Sequence, residues 1–251
     1  NTQLNVIGVE FLTRPEIVGR AARMSFERLM LKQIERRDSF LTDVETCCAI
    51  SVEYMKMAEQ FDMLIERLGK EIKFSLDEYT LIARSAEEAA SLFTSDAVYS
   101  AQYVDVQIFE TIDDSIGKSL FYKEWELSMT GNELILVLVR TLEDYFLDFE
   151  LWLDDYLVEK VLQALVKSSV VFYVNRLLLK TERHTNKKLE SFLHPQKALV
   201  RMDFDIQIMK SFFEGQAQKY PNLTQTITHE FSLLEILRDC LYAAAELETD
   251  T

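Results

Sequence analysis

Apolar residues recur at helical spacing through the middle of the chain, at Leu134, Leu138, Leu142, Tyr145, Phe149, Trp152 and Tyr156. Acids fall between them, at Glu143, Asp144, Asp148, Glu150, Asp154 and Asp155. An apolar stripe beside a charged face predicts a long helix packed in a bundle. The same period continues on both sides. Ile17, Val18, Ala21, Met24, Leu29 and Leu31 predict a helix from Pro15 to about Arg37, broken by Asp38 and Ser39. Thr42 with Glu45 reads as a capping box and opens a helix to about Gly69. Ser75 with Glu78 repeats that signal and predicts a helix to about Phe93. Ser95 or Asp96 then caps a further helix through Tyr99, Val106, Phe109 and Ile116 to Trp125. After Gly131-Asn132 come a helix to about Asp154 and another from about Tyr156 to Arg183. Pro195 opens a helix through Phe213, Tyr220-Pro221-Asn222 predicts a turn, and a last helix spans about Leu223 to Leu247.

Composition strengthens the all-α expectation. Three prolines and six glycines in 251 residues argue against a sheet-rich or loop-rich protein. Pro15, Pro195 and Pro221 all stand where a helix would begin, the position that tolerates proline. Helices of about 20 to 30 residues are about 30 to 45 Å long. Joined by short turns they make rods with a large contact surface, suited to scaffolding and poor at enclosing a substrate. The break near Gly131 predicts two bundles, residues 1–129 and 130–251. No repeat of fixed length is visible.

The net charge of −15 excludes generic nucleic-acid binding, which needs clustered cations. Cys47, Cys48 and Cys240 form no disulfide framework and fit a reducing compartment. No apolar run approaches the roughly 20 residues that span a bilayer. The start at Asn1, without an initiator Met, suggests a fragment.

Nothing in the sequence resembles an assembled active site. His184, His194 and His229 lie far apart, and none has the Glu-x-x-His spacing of helical metal sites. The glycines are isolated, so no phosphate-cradling loop is present. Asp203-Phe204-Asp205 lacks the remaining parts of a calcium loop. No catalytic residue, cofactor or metal is expected. Contact surfaces are the remaining candidates. Arg176, Lys180 and Arg183 share a helical face, with Lys187 and Lys188 just beyond. They either complement a helix C-terminus or meet acidic lipid headgroups or an acidic partner. The acidic run from Glu143 to Glu159 is either a solvated face or a surface for a metal or a basic partner. Tyr122 and Phe146 fall off the apolar stripe and are candidate anchors for a partner helix.

Lys123-Glu124-Trp125, followed by Val139-Arg140-Thr141-Leu142-Glu143-Asp144-Tyr145-Phe146-Leu147-Asp148-Phe149, resembles the C-terminal region of the third exocyst component, the Sec-six family. Val170-Val171-Phe172-Tyr173-Val174-Asn175-Arg176-Leu177 is similar to the family's next helix, and Asp205 to Phe213 to the segment after it. Ile108-Phe109 and the helix into Trp125 also fit, so the resemblance runs from about Val98 to Phe213. It implies an elongated stack of antiparallel helical bundles of the multisubunit tethering type, without catalytic residues. It implies a non-enzymatic exocyst subunit that holds secretory vesicles at the plasma membrane before fusion. The implied partners are other exocyst subunits and SNARE-type fusion proteins, with peripheral contact to an acidic membrane surface, in the cytoplasm at sites of exocytosis. Another helical tether or fusion-machinery adaptor is the alternative, and an all-α enzyme a third.

Overall fold

The computed structural model describes residues 14–127, 133–182 and 192–249. Among them every regular element is a helix. The chain divides into two compact units, Asn1–Ala101 and Gln102–Thr251. The division expected at 129/130 falls inside the second unit. The reason is that the helices on either side of Gly131 share one core, as described below.

In the first unit, α1 (Pro15–Arg36) is followed by a short 3-10 turn (Arg37–Phe40), α2 (Val44–Glu71) and α3 (Leu76–Gln102). Their core is an aromatic and alanine cluster of Phe26, Ala58, Phe61, Ile82, Ala86, Ala89 and Phe93. Phe26 meets Phe61 edge-on at 5.4 Å, and Phe61 meets Phe93 at 5.6 Å. The rings fill the space between the helices, and the alanines line it.

Two local expectations shift. The N-cap of α2 is Asp43, which accepts from the Thr46 amide at 2.8 Å and from the Thr46 and Thr42 hydroxyls at 2.7 and 2.8 Å. Thr42 serves the cap from outside. A carboxylate competes well for this place because it accepts several donors at once. These bonds, the Thr46 amide first, hold Asp43 below its ordinary pKa. The box at the head of α3 is present, with Glu78 N donating to Ser75 Oγ and Ser75 Oγ donating to Glu78 Oε2. The second expected shift is at Ser95-Asp96, where no new helix starts. α3 runs through, and Asp96 turns inward to accept from Gln33 Nε2 at 3.0 Å, with Arg37 Nη1 at 3.7 Å. A buried partner captures the side chain that would otherwise cap.

The second unit begins with α4 (Val104–Ile112), which passes into a π-helical turn (Asp113–Gly117), then α5 (Lys123–Leu127). It continues with α6 (Glu133–Trp152), α7 (Asp155–Glu182), α8 (Pro195–Ala217) and α9 (Leu223–Thr249). α7 is the hub, packed against α4, α6, α8 and α9. Leu157, Val158, Val161, Leu162, Leu165, Val166, Val170, Tyr173 and Leu177 on its different faces are all buried. A helix buried over so wide an arc belongs at the centre of a bundle. α4 and α6 pack on the same central helix, so they share one core.

Candidate contact surface

Between α4 and α7 runs an open trough with a volume of about 570 Å³. Phe109 and Phe172 line it, their rings 5.7 Å apart. Val106, Val171, Leu178 and Leu179 form its walls and are 40 to 53% exposed. Polar groups sit at its margin. Ser168 Oγ donates to Asp105 Oδ2 at 2.6 Å, and Arg176 forms an ion pair with Asp113 of the π turn. Gly117 is needed beside that pair, since a Cβ there would meet Asp113 and the Arg176 guanidinium. An apolar trough between two helices is the shape that accepts side chains of a third.

The same unit contains a buried polar knot. Asp205 of α8 is fully buried, and its Oδ2 accepts from Trp125 Nε1 at 3.1 Å and from Tyr173 Oη at 3.0 Å. Burial first, and the Asp205 charge second, push the Tyr173 phenol well above its ordinary value, so it stays a donor. Phe121 sits against Trp125 and Tyr173 with both ring centroids at 4.9 Å. Its φ is 66°, the left-handed region that bulky residues avoid. Lys180 Nζ donates to the Phe121 carbonyl at 2.7 Å and lies 4.6 Å from the Phe192 ring. Glu126, also buried, accepts from the His194 amide at the start of α8. A strained backbone position persists when its surroundings over-determine it. Here the rings of Trp125, Tyr173 and Phe192 and the Lys180 ammonium do so.

The predicted candidates are therefore redistributed. Arg176 is committed to Asp113 and Lys180 to Phe121, so neither is a free cation of a basic patch. Arg183, Lys187 and Lys188 lie outside the described residues. Phe146 is only 8% exposed and meets Tyr220 edge-on, so it is core and offers no anchor. Helix α6 buries a wider stripe than the spacing indicated, because α7 and α8 both pack on it. Tyr122 is half-buried in the turn before α5, its carbonyl accepting from Glu126 N at 2.9 Å.

The acidic run has an internal role. Glu150 accepts from Lys219 Nζ at 2.7 Å, and Glu159 accepts from Asn222 Nδ2 at 3.1 and 3.2 Å. These acids hold the turn between α8 and α9, and only contacts distant in sequence show it. Asp203 and Asp205 are split in function. Asp203 accepts from Arg238 Nη1 at 3.1 Å and Tyr242 Oη at 2.9 Å on α9, while Asp205 points into the knot. Among the described residues no group of three or more His, Cys, Asp or Glu could hold a metal ion. His229 is an exposed side chain beside Glu230, and His184 lies outside the described residues.

Long amphipathic helices in packed bundles, with an open apolar trough at the surface, define an all-α helical-bundle protein. The chain belongs to the family of exocyst complex component Sec6, whose family model matches residues 14–246. That match extends the resemblance read from Val98 to Phe213 almost to both ends. No curated protein and no solved structure matches the chain. No helix among the described residues is long and apolar enough to cross a membrane.

Proposed function

We propose that this chain is a non-enzymatic subunit of the exocyst, a helical interaction module that holds secretory vesicles at the plasma membrane before fusion. The observation that carries the proposal is the family match over residues 14–246 on an all-helical fold. The second unit supports it, because its buried polar groups are spent on holding helices together. Asp205, Glu126 and Lys180 each join residues far apart in sequence. The trough between α4 and α7 is open and largely apolar, a surface for contact between helices. Large helical interfaces gain stability by apolar burial, about 25 cal/mol per Å².

In this reading its partners are other exocyst subunits, as the third component or a paralogue of it. SNARE-type fusion proteins are the further partners, and the subunit acts in the cytoplasm at sites of exocytosis. Contact with an acidic membrane surface would fall to Arg183, Lys187 and Lys188, since Arg176 and Lys180 are engaged within the fold. Affinity capture of the tagged protein from a cytosolic extract tests the proposal. Recovery of other exocyst subunits at reproducible stoichiometry is expected. Their consistent absence, with a different tether recovered, would replace the exocyst reading with that of another helical adaptor.

A further inference from the structure

Helix α1 carries a second apolar stripe, turned about 120° from the one it buries. Gly19, Phe26 and Gln33 face the core of the first unit. At about 100° per residue, Met24 and Leu31 fall about 160° from Phe26 and Gln33, and Ile34 flanks them about 100° from Gln33. They are 62, 63 and 64% exposed. With Arg20 and Glu27 they form a seam at alternating intervals of four and three residues. That interval is the seam of a helix awaiting a partner helix.

The charges beside the seam are unusual for this chain. α1 carries Arg20, Arg23, Arg28, Lys32 and Arg36 against Glu16, Glu27 and Glu35, so it is net positive in a chain of −15. On α2 and α3 exposed cations find an acid on their own helix, as in Lys56–Glu53, Arg67–Glu71, Lys70–Glu66 and Arg84–Glu88. The five cations of α1 have no ion pair among the described residues. An apolar seam flanked by unneutralised cations is complementary to an apolar seam flanked by acids.

We propose that the outer face of α1, centred on Met24, Leu31 and Ile34, docks an acidic amphipathic helix of a partner protein. Leucine-like side chains of the partner would enter beside Leu31, and its flanking acids would meet Arg23, Arg28 and Lys32. Glu27 lies in the middle of the seam and selects one cation on an otherwise acidic partner. The same glutamate argues against an anionic bilayer as the occupant. Insertion of the stripe would bury a carboxylate beside negatively charged lipid. The proposal rests on exposure and charge alone and holds whichever assembly the chain joins.

The test uses a synthetic helix of about three heptads, with leucine at the seam, glutamate on the flanks and one lysine placed to meet Glu27. A scrambled peptide of equal composition and phosphatidylserine-containing vesicles are the controls. Expected are salt-sensitive binding of the ordered peptide and hydrogen-exchange protection over Pro15–Arg36. Leu31→Asp with Ile34→Asp should weaken binding by about tenfold or more. Arg28→Glu with Lys32→Glu should weaken it and flatten the salt dependence. Replacing the peptide's lysine by glutamate should be rescued by Glu27→Lys. All these positions are exposed, so unchanged circular dichroism is the folding control, and Leu31→Gln is the milder variant. The proposal is overturned if the scrambled peptide binds equally or no peptide binds. Protection outside α1, or vesicles capturing the chain through the same residues, would overturn it too.

Discussion

Asp205 shows how much one side chain can carry. Two buried donors, the Trp125 indole and the Tyr173 phenol, depend on its Oδ2. Asp205→Ala leaves both without that acceptor and is expected to destabilise the fold by about 3 kcal/mol, read from chemical denaturation. Asp205→Asn keeps an acceptor and should cost less than the alanine variant. An aspartate at helical spacing beside Ile206 and Met209 looks like an exposed polar position in the sequence, and only the convergence of α5 and α7 reveals its role. The cysteines give a second outcome at this scale. Burial, and then Asp43, push the Cys47 thiol up to about 11, and Cys48 is equally buried. Cys240 is exposed. A thiol reagent on the native protein should modify one cysteine quickly and the other two only on unfolding. More than one fast thiol would contradict the packing of α2.

At the scale of elements, the link between α4 and α7 depends on the π turn. It brings Asp113 to Arg176, and Gly117 leaves room for the pair. Gly117→Ala should destabilise by about 1 kcal/mol, because the new methyl displaces the ion pair. Combined with Arg176→Ala the loss should be less than additive, measured by a double-mutant cycle. Lys180→Met removes the donor from the Phe121 carbonyl and should cost about 2 kcal/mol. Phe121 would then keep its left-handed backbone with one fewer restraint.

Helix starts at Pro15, Ser75 and Pro195 were legible, because the first turn has local requirements for proline and capping side chains. The π turn was not legible. Nothing local distinguishes Asp113 to Gly117 from one more helical turn, and its geometry answers to Arg176 about sixty residues away. The supposed helix start at Ser95-Asp96 failed for the same kind of reason, since Gln33 and Arg37 claim the aspartate.

For the whole molecule, three tyrosines of the second unit share one tendency. Tyr173, Tyr220 and Tyr242 are all held above the ordinary phenol value, chiefly by burial. Below the unfolded value of about 10 the neutral phenols are bound in both states and this contribution is complete. Above it the unfolded chain releases protons that the folded chain retains, so stability falls as pH rises. Alkaline titration should show tyrosinate absorbance appearing together with loss of helical circular dichroism. Tyr173→Phe should remove much of that coupling, at the expense of one hydrogen bond to Asp205 at neutral pH.

Helical class, the run of most helices and family membership were all present in the order of residues, because period, capping and composition act over a few positions along the chain. The location of the division into units, the burial of Phe146 and the engagement of Arg176 and Lys180 were decided only by packing. A side chain's spacing says which face of its helix it occupies. Whether that face meets solvent, a carboxylate or a neighbouring ring depends on residues that the fold brings from elsewhere.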